Sequence, residues 1–170
     1  MPTRSSIVAT FSDPAQGMRV DAQSESGHDL RFDTAGVADG GAGATPMETV
    51  LGALAACTAM DVASILRKKR QPFDSYTIEA TAEKADEHPQ VFTSILVEHR
   101  LIGAMTAEAV RRSIELSATA YCPVSAMLSA FVRIEHRYQI RNPVTGEEES
   151  ALVVVTGPGE MRAAGQTATA

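Results

Sequence analysis

The stretch TPMETVLGALAACTAMDVASIL, residues 45–66, decides the fold. Thr45 suits an N-cap, Pro46 the first helical position, and Glu48, three residues after Thr45, completes a capping box. From residue 50 to 66 nearly every side chain is apolar or small, which predicts a helix covered on most of its sides, ended by Gln71-Pro72. That window is shorter than the roughly 20 residues a bilayer demands and carries Asp61, so a buried central helix is expected and not a membrane span.

Outward from this helix the pattern is mostly β. On the N-terminal side, residues 7–11 are β-prone, and 18–25 with 28–33 flank the turn signal Ser26-Gly27, which predicts a hairpin or meander. Residues 34–44 hold four glycines and read as a flexible connection. On the C-terminal side, 76–81 and 91–101 alternate around a turn at 86–89 and predict an antiparallel pair. Thr106 caps a second helix that stops near Tyr121, because the residue before a proline avoids the α region, and a third helix starts at Pro123. Val132, Ile134, His136, Tyr138 and Ile140 alternate with polar residues and give the cleanest strand of the chain.

With 170 residues, 44% of them apolar, one compact α+β domain is expected. Its body is expected over 1–141. Residues 142–170 form an acidic extension in which Glu147, Glu148, Glu149 and Glu160 against Arg162 carry three of the six net negative charges, and 151–155 add one edge strand. The net charge of -6 argues against nucleic acid as a partner, since a phosphate-neutralising surface needs clustered Lys and Arg. The one basic cluster, Arg67-Lys68-Lys69-Arg70, closes the central helix, where it complements the helix dipole. The start of the chain has no charged-then-apolar signal pattern, so a cytoplasmic location is expected. In that compartment two cysteines are more often reactive or metal-binding than a static bridge.

Those two are Cys57 and Cys122. Cys57 lies in the body of the central helix among small neighbours that leave room for a substrate, a position equally open to an inert core cysteine. Cys122 precedes Pro123 and falls at the N-cap of the third helix, where unpaired N–H groups stabilise a thiolate. A spacing of 65 residues does not reveal whether the sulfurs meet.

The segments Thr45-Pro46-Met47-Glu48, Leu54-Ala55-Ala56-Cys57 and Tyr121-Cys122-Pro123-Val124-Ser125 strongly resemble the OsmC/Ohr family, the osmotically inducible and organic hydroperoxide resistance proteins, over about residues 6–141. Pro46-Met47-Glu48, Met60-Asp61-Val62 and residues 73–81 resemble its YhfA-like branch. The resemblance implies an antiparallel sheet wrapped around a long central helix, two further helices and an intertwined homodimer. It also implies a thiol peroxidase. The Cys57 thiolate attacks an organic hydroperoxide, the resulting sulfenic acid condenses with Cys122, and a dithiol of lipoyl type or a small thiol reduces the disulfide, with no metal or organic cofactor.

In hydroperoxide-resistance members an N-terminal Arg, oriented by a Glu at the start of the central helix, ionises the cysteine. Here position 47, ten residues before Cys57, is Met, and Glu48 stands nine before it. One residue turns a helical side chain by about 100 degrees, so Glu48 serves either the site or only the capping box. Arg19 is the candidate cation, with Arg31 behind it, and an ordinary strand arginine is the other reading. Asp61, one turn after Cys57, opposes thiolate formation. Two alternatives to an enzyme are a redox-sensing or small-ligand-binding dimer, and a zinc protein in which His136 joins both cysteines.

Overall fold

A computed structural model of the chain describes residues 4–12, 18–34 and 41–163. It falls into two units, residues 1–50 and 51–170. The first holds an antiparallel meander, β1 (Ile7–Phe11), β2 (Val20–Ser24) and β3 (Asp29–Phe32), in the order β1-β2-β3. Ser26-Gly27 makes the expected turn between β2 and β3, with Gly27 at φ 84. Residues 35–40 of the glycine-rich connection lie outside the described residues.

The central helix α1 runs Pro46–Lys68. Its capping box forms as read from the sequence: the Glu48 N–H donates to Thr45 Oγ1 at 3.1 Å, and the Thr45 N–H donates to the Glu48 carboxylate at 2.7 Å. At the other end Arg70 adopts φ 55 and the Gln71 N–H reaches back to the Leu66 carbonyl, so the helix is already closed before Pro72. With 23 residues α1 is, by length and composition, long and apolar enough to cross a membrane; it runs beyond the apolar window 50–66 through residues 46–49 at one end and the charged Arg67 and Lys68 at the other, and is longer than the span expected. It is also not covered on most sides: Leu54, Thr58, Val62 and Leu66 form one buried stripe, while Met60 is 74% exposed.

The second unit is built on a five-stranded sheet of order β4-β5-β6-β7-β8: β4 (Ser75–Lys84), β5 (Phe92–Ile102), β6 (Arg133–Arg141), β7 (Glu148–Gly157) and β8 (Glu160–Ala163). The pairings are antiparallel except β5 with β6, which run parallel. This departs from the all-antiparallel sheet expected. The segment between these strands contains the helices α2 (Ala107–Leu116) and α3 (Pro123–Leu128), a crossover long enough to return the chain in the same direction. Alternation on β5 and β6 buries Ile95, Val97, His99 and Leu101 beside Ile134, His136, Tyr138 and Ile140.

Helix α2 lies against this layer, with Val110 and Ile114 buried among Val62, Leu66, Leu101, Ile140 and Val153. The run at 151–155, read as an edge strand, belongs to β7, which is flanked by β6 and β8; residues 153–156 are all buried. At Gly103, where β5 leaves the sheet, φ is 154, and a Cβ would meet the Phe73 Cα at 2.8 Å and the Pro72 carbonyl oxygen at 2.9 Å. The tight return beside the end of α1 thus requires glycine.

Candidate active site

Both cysteines occupy positions that local backbone chemistry prepares. Cys57 sits half-buried on α1, directly before Thr58 of the buried stripe. Helix α2 ends at Leu116 and widens into a π-turn, Ser117–Tyr121, closed by the Cys122 N–H donating to the Ser117 carbonyl at 2.9 Å. Such single π-turns concentrate at functional sites. Pro123 then holds Cys122 in extended backbone, φ -73 and ψ 107, so the chain turns and α3 begins. Cys122 caps it as expected, its sulfur accepting from the Ser125 N–H at 3.3 Å. Cys122 is 2% exposed.

The two turns converge. Cys57 Sγ, Cys122 Sγ and a carboxylate oxygen of Asp61 all lie within 4.8 Å of one another. Both cysteines are free thiols and share a hydrogen bond. The Val124 N–H donates to the Cys57 sulfur, so the first amides of α3 are divided between the two sulfurs. Thr58 Oγ1 donates to Cys122 Sγ at 3.8 Å, and Ser117 Oγ donates to Asp61 Oδ2 at 3.0 Å. The result is a compact cluster of two thiols, one carboxylate and the hydroxyls that orient them.

Electrostatics work against ionisation of Cys57. Burial is the largest cause, followed by the hydrogen bond with Cys122, with smaller contributions from the charges of Cys122 and Asp61; together they push the thiol up to about 11. Only the Val124 amide pulls the other way. The opposition expected from Asp61 is therefore present, although burial outweighs it.

Of the other sequence candidates, Arg19 pairs with Asp21 at 2.7 Å, and Arg31 takes the second oxygen of the same carboxylate at 2.8 Å. The Arg19 guanidinium, with Ser12 and Arg31, holds the Asp21 carboxyl well below the usual carboxylate range. Glu48 accepts from the Thr45 N–H and hydroxyl in the capping box. His136 is not among the groups around the cysteines. Its Nδ1 lies 3.2 Å from His99 Nε2, and His99 Nδ1 is 2.7 Å from the Tyr76 hydroxyl, a buried hydrogen-bonded chain across β4, β5 and β6. The third potential metal ligand beside the cysteines is Asp61 instead.

Two contributors to the cluster were missed in the sequence, Ser117 and Thr58. Ser117 had a readable signal. It follows Val110 and Ile114 on the buried face of a helix, and a polar residue on an apolar stripe needs a partner. Thr58 had none beyond its adjacency to Cys57.

A family model described as OsmC-like protein matches residues 38–137, more than half of the chain. Protein YhfA of Escherichia coli K12 is 36% identical over 126 residues, which make up 74% of this chain and 92% of that protein. Among solved structures, the OsmC-like protein of Mycoplasma pneumoniae superposes with a TM-score of 0.70 at 15% identity, covering 82% of this chain and 99% of that one. The organic hydroperoxide resistance protein OhrB of Bacillus subtilis superposes with a TM-score of 0.59 at 14% identity, covering 80% and 98%. At such identities these two structures speak for the α+β fold. The family match over residues 38–137 and the YhfA relationship establish that this chain belongs to the OsmC-like protein family.

Proposed function

We propose that this protein reduces organic hydroperoxides by thiol chemistry at Cys57 and Cys122. The observation that carries the reading is the proximity of two free sulfurs within 4.8 Å, one half-buried and one buried, each facing an amide of the α3 start. Cys57, the more exposed, is the attacking group. Its thiolate takes the distal oxygen of ROOH, the O–O bond breaks, and the leaving alkoxide takes a proton to give ROH and a Cys57 sulfenic acid. The Cys122 sulfur then displaces hydroxide, forming the Cys57–Cys122 disulfide and water. A dithiol reductant, of lipoyl type or a pair of small thiols, restores both thiols by exchange.

The groups that resemblance assigns to activation, Glu48 and Arg19, stand in local pairings with Thr45 and Asp21, so this reading rests on the sulfurs. A second copy of the chain is the proposed cover for the exposed apolar side of α1, since a soluble helix of this composition gains by burying that side. Light scattering at micromolar concentration tests it, with a homodimer expected.

One observation favours a second reading, a slow redox sensor: burial, Cys122 and Asp61 all hold Cys57 in its thiol form. Stopped-flow kinetics with cumene hydroperoxide separate the two. An enzyme oxidises much faster than a free thiol and loses this with Cys57→Ser, whereas a sensor oxidises no faster than a free thiol.

A further inference from the structure

Asp61 has no task in the peroxide chemistry proposed above, and its charge opposes the first step. A carboxylate beside two thiols suits a different partner. We propose that Cys57, Asp61 and Cys122 form a binding site for a divalent zinc ion, whose occupancy holds both sulfurs reduced and out of reach of peroxide. This site does not depend on the peroxidase reading, because it needs only the three ligands and a cation.

The donor set fits the metal. Two thiolates and one carboxylate match a borderline-soft ion that takes sulfur and oxygen together, and three protein ligands leave one tetrahedral position open. With bonds of about 2.3 Å to sulfur and about 2.1 Å to oxygen, tetrahedral zinc separates its ligand atoms by roughly 3.5–3.8 Å. The three atoms already lie within 4.8 Å of one another, and all are carried by helical or helix-capping backbone.

The surrounding hydrogen bonds supply the outer shell that metal ligands require. Ser117 Oγ orients the Asp61 carboxylate at 3.0 Å. The Val124 N–H serves the Cys57 sulfur, and the Ser125 N–H and Thr58 Oγ1 serve Cys122. The Val124 amide favours thiolate charge on Cys57 whether or not a metal is bound. Balance is simple: two thiols release two protons to solvent, two thiolates and the carboxylate bind one Zn²⁺, and no electrons move. With one lone pair of each sulfur donated to the ion and the thiolate charge neutralised, attack on the O–O bond and condensation between the sulfurs are suppressed.

The test uses the fully reduced, metal-free, full-length protein without peroxide. Titration with Co²⁺ is expected to give a thiolate-to-cobalt charge-transfer band and tetrahedral visible bands that saturate at one equivalent and vanish on adding one equivalent of Zn²⁺. Asp61→Asn should weaken cobalt binding at least tenfold, and Cys57→Ser or Cys122→Ser should remove the tetrahedral dithiolate spectrum, with circular dichroism reporting the fold. Wild-type protein needs no variant for a second readout, since Zn²⁺ binding at neutral pH should release close to two protons. Absence of the charge-transfer band, release of fewer than one proton, or an Asp61→Asn protein that folds and binds as tightly as wild type would each overturn the site. Peroxide kinetics of the metal-free protein are read separately, so the two ideas stand or fall apart.

Discussion

Asp61 stands one helical turn beyond Cys57 on α1, and its carboxylate oxygen lies within 4.8 Å of both the Cys57 and the Cys122 sulfurs while accepting a hydrogen bond from Ser117. A fixed anion so placed raises the cost of a neighbouring thiolate. It follows that replacing Asp61 changes peroxide and metal chemistry in opposite directions.

For the thiol the sign is clear. Asp61 raises the pKa of Cys57, so Asp61→Asn lowers it and increases the thiolate fraction at neutral pH. The charge is the smallest of the contributors, after burial, the Cys122 hydrogen bond and the Cys122 charge, so the alkylation rate of Cys57 should rise by no more than about threefold to fourfold, given that one pKa unit is a factor of ten. Iodoacetamide rates measured against pH check this, with the variant profile displaced to lower pH. A profile displaced to higher pH contradicts the assignment.

The roles of the two cysteines are separable. After one equivalent of cumene hydroperoxide, Cys122→Ser should hold Cys57 as a sulfenic acid that dimedone traps, because no thiol remains to condense with it. Cys57→Ser should yield no adduct on the buried Cys122. Mass spectrometry of tryptic peptides reads both, and an adduct on Cys122 in the Cys57→Ser protein would reverse the assignment.

Buried imidazoles make stability depend on pH. Burial pushes His136 down to about 4, and burial with the neighbouring His136 holds His99 well below the usual imidazole value. Between pH 6.5 and 4 the unfolded chain binds protons that the native His136 does not, so stability is full above 6.5 and is lost as the pH falls. His136 alone accounts for about 3 kcal/mol by pH 4. Urea unfolding at pH 7 and pH 4 measures the difference, and His136→Gln should reduce it. An unchanged difference in the variant would show that other groups carry the acid sensitivity.

Packing of α2 against the sheet is tested at Ile114, which is fully buried in the core with Val62, Leu66 and Val153. Ile114→Ala should cost about 2–5 kcal/mol in unfolding free energy, from lost burial and the cavity left behind. Denaturant unfolding provides the number, and a loss below about 1 kcal/mol would mean that the site collapses around the smaller side chain.

Much of this architecture was legible because local chemistry and tertiary structure agree. The capping box at Thr45 and Glu48, the cap at Thr106, the turn at Gly27 and the Cys122-Pro123 break all appear where their residue types require them. The alternation at 132–140 marks β6 for the same reason. The interior position of β7 was not legible. Leu152-Val153-Val154-Val155 is a continuous apolar run, and such a run carries no period to distinguish an edge from a covered strand.

The parallel pairing of β5 with β6 was hidden for a different reason. Strand direction is set by the crossover through α2 and α3, not by the residues within the strands. At the site, helical periodicity brought out the shared face of Asp61 and Cys57. The convergence of Cys122 on that face depends on a π-turn whose extra residue has no sequence signature.

The central claim is that Cys57 and Cys122 act as one redox couple on an organic hydroperoxide. The most direct measurement is stopped-flow oxidation of the reduced, metal-free protein by cumene hydroperoxide, with the product identified by peptide mapping. The account predicts oxidation far faster than that of a free thiol, ending in an intramolecular Cys57–Cys122 disulfide and abolished by Cys57→Ser. Oxidation no faster than a free thiol, unchanged in Cys57→Ser, would contradict it.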